Sequence, residues 1–289
     1  MSEVSTDSLF HYTRDLNSLI GIIQNGFRMS YCFEDFDEVV SHFDDDNYIP
    51  LARIISSQEP RWGIAIPMVC FCDIPLQQTK THREHYGNYC IGLNKDAFLA
   101  QYGSVINPVF YVSTKSWTQD ILPELVSIKK KMSRLKNNGN PLDDCMYYDM
   151  LFYIREIISL TKPYFGIDIE GREKRFYDER EWRITFNLDD DKGSPDLVFG
   201  LTLEEYNAKK SAMNQKIKEQ YMKLMSGTAK DVITHIIVPE ESDIEVFAER
   251  LREQTVVMGD SITGDNKQIL QTLIDKTTSF EKIECGVLK

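Results

Sequence analysis

The chain has 289 residues, 42% of them hydrophobic and 11% aromatic, which is enough apolar side chain for one large packed domain or two small ones. Its 33 lysines and arginines stand against 45 aspartates and glutamates, a net charge of -12, so the molecular field repels phosphate backbones and any nucleic-acid contact has to be local. Cys32, Cys70, Cys72, Cys90, Cys145 and Cys285 are too few and too scattered for a disulfide framework in a chain this long. The stretch Met1–Asp7 has neither basic residues nor an apolar run, and the longest apolar run, Gly63–Cys72, is too short for a membrane span and contains Pro67. The expected location is the cytoplasm, with no membrane partner.

In chain order, Leu9–Thr13 reads as an aromatic strand ending in His11 and Thr13. Asp15 then caps a helix carrying Leu16, Leu19, Ile20 and Ile23, which Gly26 stops. Residues 34–48 carry a run of acids without calcium-loop spacing and read as a solvated loop or exposed helix. Ile64–Phe71 is a buried strand that ends at Cys72, before Pro75. Cys70, Cys72, His82 and His85 do not have a common zinc spacing, and a buried strand accounts for both cysteines, so no metal is expected.

Cys90–Leu93 and Pro108–Val112 read as further strands, and residues 117–162 as two helices joined by the turn Asn137–Pro141. The first of these helices carries the basic run Lys129–Lys131. The second is apolar on Met146, Met150, Tyr153 and Ile157 and is expected to pack on the sheet. A strand over Asp196–Leu201, a long polar helix over Leu203–Met225 and a strand over Ile233–Val238 follow. Ser242 caps a helix with Ile244, Phe247, Ala248 and Leu251 on one face, and a short helix over Lys267–Ile274 ends the ordered part. No linker or repeat divides the chain. It reads as a single domain over 1–289 with a helical insertion at about 117–162 and a C-terminal helical extension.

The stretch Tyr177–Leu188 organises the rest. From Trp182 it alternates apolar and polar, the pattern of a half-buried strand, which puts Glu179, Glu181 and Arg183 on one face. Two carboxylates that close raise each other's pKa unless a cation answers them, and Arg180 and Arg183 are the nearest candidates. Two readings stand: a solvated face with an internal Glu–Arg–Glu pattern, or a functional carboxylate pair. No phosphate loop, dinucleotide fingerprint or nucleophile elbow is present. The remaining polar strand end, Gly26–Arg28 turn, Tyr86 and paired glutamates are components of a pocket for a ribose, a ring and a developing positive charge.

The Phe10–Thr13 strand, the helix Asn17–Ile23 and Gly26-Phe27-Arg28 together resemble the opening of the ADP-ribosyltransferase fold of the diphtheria-toxin-like and poly-ADP-ribose polymerase group. Val69–Asp73 and Tyr86 look like that group's second aromatic strand and following tyrosine, although Cys70 stands where the group has an aromatic residue. The ordered set HYT, MVCFCDIP, HxxxYGxYxIGL, NPVxY and EREWR is similar to the AbiGi-type abortive phage resistance family over roughly residues 9–240. The resemblance implies an α+β fold, an ADP-ribosyltransferase-like split mixed/antiparallel β-sheet core with flanking and inserted helices.

It also implies a site with NAD as substrate. His11 would bond the adenosine ribose, with Tyr12 and Thr13 on the same strand end; Arg28 would lie near the adenine or pyrophosphate, and Tyr86 would stack on nicotinamide. Glu181 would bond the nicotinamide ribose and stabilise the oxocarbenium, and Glu179 would orient the acceptor, a protein, a nucleic acid or water. Two functions follow. One is a defence effector acting as an NAD-dependent ADP-ribosyltransferase or NAD glycohydrolase. The other is a non-catalytic antitoxin or sensor of a two-gene abortive-infection system that binds a cognate toxin or defence-operon protein. A structural ion network with no ligand is a third reading of the same polar residues.

Overall fold

The structure, a computed structural model, describes residues 6–36, 63–113, 149, 152–168, 171–185, 201, 203–217, 221–224, 228–264 and 267–286. β1 (Ser8–Thr13) leads into α1 (Leu16–Asn25), where the Asp15 side chain accepts from the Ser18 amide and Gly26 ends the helix at φ 93°. A side chain at Gly26 would run into the Met222 carbonyl, so this turn needs glycine on two counts. β2 (Phe27–Arg28), β3 (Ser30–Asp35) and the long β4 (Gly63–Cys72) follow. Next come α2 (Lys80–Tyr86), β5 (Tyr89–Asn94), α3 (Lys95–Tyr102), β6 (Ile106–Pro108) and β7 (Phe110–Val112).

A helix over 152–159 precedes β8 (Thr161–Pro163), β9 (Gly166–Ile167) and β10 (Glu173–Lys174). A 3-10 turn over Phe176–Glu179 then delivers the chain to β11 (Glu181–Thr185). The remainder comprises α4 (Leu203–Lys216), β12 (Tyr221–Met222), a single helical turn over Ala229–Val232, β13 (Ile233–Val238), α5 (Asp243–Arg252), β14 (Val256–Val257), β15 (Asp260–Ser261), α6 (Gln268–Asp275), β16 (Thr277–Ser279) and α7 (Phe280–Glu284).

One 8-stranded sheet, in the order β16-β13-β5-β1-β4-β11-β6 with β3 also on β4, carries the site. It is mixed: β13 and β16 run parallel and the other pairs antiparallel. β4 is its pivot. Met68 pairs with Thr185 on one side and Ser30 on the other, and Cys72 with Glu181 on one side and Phe10 on the other, so β1 and β3 share one edge and the sheet divides between them. The fold is therefore α+β, as expected.

Side chains directly opposite across a ladder point to the same face, which fixes the two sides of this sheet. Leu9, Val69, Phe71 and Ile184 pack with α1 residues Leu19, Ile20 and Ile23 in the main apolar core. Phe10, Tyr12 and Cys72 belong to the opposite face, with Cys90, Ile237 and Phe280.

Several expectations need correction. Glu34 and Asp35 lie in β3, not in an acidic loop or exposed helix, because β3 continues the split sheet; 37–48 lie outside the described residues. Pro108–Val112 is two short strands, β6 and β7, in different sheets. The second inserted helix buries Ile154 and Ile158 and leaves Tyr153 60% exposed, so its inner face is rotated from the expected one. It also stops earlier, since Thr161–Pro163 is a strand; Pro163 disfavours helix at the residue before it. The basic run Lys129–Lys131 lies outside the described residues. The polar helix from Leu203 ends at Lys216, and Tyr221–Met222 instead pairs with β2. Ser242 sits at the cap of α5 without a side-chain capping bond, and order continues past α6 into β16 and α7.

Candidate functional site

Glu181 opens β11 opposite Cys72, and Arg183 follows two residues on, opposite Cys70. Strand alternation puts both on one face. Glu179 reaches the same place by another route: it ends the 3-10 turn, and Arg180 between the glutamates takes the left-handed region at φ 41°. The expected continuous strand from Glu179 is thus replaced by a turn. Arg180 is in none of the described ion pairs of the two glutamates.

The face is sealed rather than solvated. Glu179 is 3% exposed, Glu181 6% and Arg183 0%. Arg183 Nε donates to Glu181 Oε1 at 2.6 Å and its Nη2 to Glu34 Oε1 at 2.6 Å, while Nη1 donates to the Ser159 carbonyl at 3.0 Å. Lys162 Nζ donates to Glu181 Oε2 at 2.5 Å and to Glu179 Oε2 at 2.7 Å, joining the two carboxylates. Lys174 Nζ lies 2.7 Å from Glu179 Oε1, which also accepts from the Tyr86 hydroxyl at 2.7 Å. The result is one chain, Glu34–Arg183–Glu181–Lys162–Glu179–Lys174, in which three carboxylates meet three cations. Tyr111 closes it from above by accepting from the Glu181 amide at 2.8 Å.

The electrostatics follow from this pairing. Burial pushes the Glu181 carboxyl up, but Arg183 and Lys162 pull harder and hold it well below the usual carboxylate range. Burial likewise opposes Lys162 and Lys174 at Glu179, which ends at about 2. Burial lowers the Lys162 ammonium, yet Glu179, Glu181 and Glu34 raise it well above the ordinary lysine value. Glu34 is the exception: burial outweighs Arg183 and Lys162, so its carboxyl is raised and protonates first as pH falls.

The other expected site residues divide between this face and elsewhere. Tyr12 lies on the network's face and is linked to it by rings, packing edge-on to His82 at 4.9 Å, which in turn is 4.4 Å from Tyr86. Burial lowers His82 to about 4, so its ring is neutral. Tyr86 is 40% exposed as a residue, with its hydroxyl bound to Glu179.

His11 and Thr13 alternate with Phe10 and Tyr12 and so belong to the opposite face from Glu181. His11 packs 5.3 Å from Phe27 and 5.6 Å from Phe71, and its Nδ1 donates to the Cys70 carbonyl at 2.8 Å. A carbonyl only accepts, so the proton is on Nδ1; burial lowers the ring's pKa and keeps it neutral. Arg28 is exposed on the separate β2–β12 ladder, where Nη2 donates to the Asn214 carbonyl at 2.8 Å. The structure brings together Glu179, Glu181, Tyr86 and Tyr12, and it keeps His11, Thr13 and Arg28 apart from them. Among the described residues no His, Cys, Asp and Glu cluster is set to hold a metal.

Sequence reasoning missed Lys162, Lys174 and Glu34. Lys162 had a signal, because Thr161 and Pro163 on either side of it argue against the helix assigned there. Glu34 is 149 residues from Arg183 and had none.

Residues 52–239 match the model of a family described as "Putative abortive phage resistance protein AbiGi, antitoxin". The chain belongs to the AbiGi family. That match takes in most of the network: Lys162, Lys174, Glu179, Glu181 and Arg183 lie within it and Glu34 before it. The chain is also similar to the abortive phage resistance protein AbiGi of Lactococcus lactis subsp. cremoris, 32% identical over 158 residues, 50% of this chain and 60% of that protein. It therefore spans about three fifths of the length of this relative. No solved structure matches the chain. Among the described residues, no helix is long and apolar enough to cross a membrane.

Proposed function

We propose that this AbiGi-family chain is the antitoxin component of an abortive phage resistance system and acts by binding its cognate toxin, without catalysis. One observation carries this reading: Glu181, the carboxylate a transferase would need free, has both oxygens engaged by Arg183 and Lys162 and is 6% exposed. A group that stabilises a developing cation must meet it at the reacting centre, whereas this carboxylate already meets two. A buried network in which every charge is answered gives a stiff scaffold on which a binding surface keeps its shape. The description of the family as an antitoxin supports the same reading.

The test is co-expression with the toxin gene of the same operon. Wild type restores growth, and so does an Arg28→Ala, His11→Gln double variant that would cripple an NAD site. Loss of neutralisation in that folded variant would contradict a purely binding role.

A second reading has its own observation. The strands bearing the HYT, VCFCD and EREWR motifs are neighbours, with Cys72 flanked by Phe10 and Glu181, and the partly exposed Tyr86 bonds Glu179 through its hydroxyl. This juxtaposition supports an ADP-ribosyltransferase-like core using NAD, with Glu181 as the essential carboxylate, Glu179 orienting a protein or nucleic-acid acceptor, and Tyr86 on nicotinamide. Nicotinamide release from NAD by the wild type, abolished in Glu181→Gln, would establish it.

A further inference from the structure

Five members of the network, Glu34, Glu179, Glu181, Lys162 and Arg183, form its buried part, and with all three carboxylates ionised they leave one negative charge unanswered. Lys174 supplies the missing cation, and it differs from Lys162 in exposure, in the number of carboxylates it holds and in its place in the fold. Its side chain is 16% exposed against 8% for Lys162, and it holds one carboxylate where Lys162 holds two. It sits on β10, which among the described residues pairs with β9 alone in a two-stranded ribbon outside the main sheet. Its ammonium lies 5.2 Å over the Tyr86 ring and 6.0 Å over the Phe176 ring, with Glu179 Oε1 at 2.7 Å; the Phe176 ring also faces the Lys162 ammonium, at 5.0 Å. A carboxylate floor between two aromatic faces is a general device for recognising an ammonium group.

We propose that Glu179, Tyr86 and Phe176 form a receptor for an alkylammonium group. Lys174 fills it in the free chain, and a lysine side chain of the toxin fills it in the complex. This proposal rests on the antitoxin reading for the identity of the partner but not for the existence of the receptor. Charge complementarity favours such a partner, since the chain carries a net charge of -12 and the receptor without Lys174 carries one uncompensated carboxylate. Exchange conserves the charge balance of the buried network: one ammonium leaves Glu179 as another arrives, and Lys174 passes to solvent on its ribbon. Tyr86, 40% exposed as a residue, lies at the solvent side of this site.

The experiment is a titration of n-butylammonium chloride, with sodium chloride and n-butanol as controls, into wild type, Lys174→Ala and a Lys174→Ala, Glu179→Gln double variant. The expected result is saturable, one-site binding to Lys174→Ala that raises its Tm, weaker by at least tenfold in wild type, where Lys174 competes, and lost in the double variant. Absence of saturable binding beyond the controls in a folded Lys174→Ala chain overturns the proposal. So does tighter binding of 1-methylnicotinamide than of n-butylammonium, which would favour the NAD reading. If Lys174→Ala does not fold, wild type carries the test: n-butylammonium moves the Lys174 ε-methylene NMR signal to that of a solvated lysine, and a signal that stays fixed overturns the proposal. Binding of n-butylammonium by a chain that neutralises no toxin would sink the antitoxin reading and leave the receptor standing. Undiminished neutralisation by the double variant would remove the receptor's role in the complex.

Discussion

On one face of β4 and β11, Val69, Phe71 and Ile184 pack against α1 in a core with His11 as its neutral polar member. On the other face of the same two strands, Glu181 and Arg183 stand beside Cys72 and Cys70 and draw in Lys162, Glu179 and Glu34. The first face gains free energy by leaving water, at about 25 cal/mol per Å² of apolar area. The second loses several kcal/mol per ion to desolvation and recovers it only while every partner is present. The contrast teaches that one face tolerates small changes of shape and the other tolerates no loss of a partner.

The sharpest way to break this contrast is Lys162→Met, which leaves Glu179 and Glu181 buried without their shared cation. The expected loss is about 3–5 kcal/mol, read from urea unfolding, and a loss under about 1 kcal/mol would mean that the network is open to water. On the apolar face, Phe71→Ala should cost a similar or slightly smaller amount, about 3 kcal/mol, by leaving a cavity. Unlike Lys162→Met, it should leave the pH dependence of stability unchanged.

That pH dependence sharpens the comparison further. Glu179 is held down at about 2 against the ordinary 4.5, so it contributes stability above pH 4.5 that disappears as pH falls through about 2. Glu181, also lowered, acts in the same sense, whereas the raised Glu34 opposes it. Urea midpoints measured down the acid limb should therefore fall less steeply in Glu179→Gln than in wild type; parallel limbs would contradict the assignment. The smallest effect expected is that of Asp15→Ala, which removes the two bonds its carboxylate accepts from the Ser18 amide and hydroxyl and should cost about 1 kcal/mol. Because those bonds hold the Asp15 carboxyl below its ordinary value, the acid limb should become slightly shallower as well.

Local pattern was enough for the elements whose stability is local. Asp15 and Gly26 bracket α1, and β4, β5 and β13 announce themselves as apolar runs between breakers. Alternation also put Glu181 and Arg183 correctly on one face. It placed Glu179 with them but misread the backbone there as strand, because Arg180 takes a left-handed conformation that pattern does not reveal in a residue other than glycine. The resemblance, not alternation, grouped His11 with Glu181, and their relation depends on two successive strand registers, Phe10 against Cys72 and Cys72 against Glu181, which put them on opposite faces. The solvated reading of the glutamates fell for the same reason: their cover arrives from Lys162 and Lys174 on short strands with little periodic signal. Pairings at long range carry the site, and they are written in no single stretch of sequence.

On the proposed antitoxin reading, Glu181 holds the fold together instead of serving chemistry. Equilibrium unfolding of Glu181→Gln against wild type at neutral pH tests it most directly. The expected loss is about 3–5 kcal/mol, because Arg183 and Lys162 are left buried with a neutral partner. Stability equal to or above that of wild type, as expected of a carboxylate strained for catalysis in an open cleft, would contradict it.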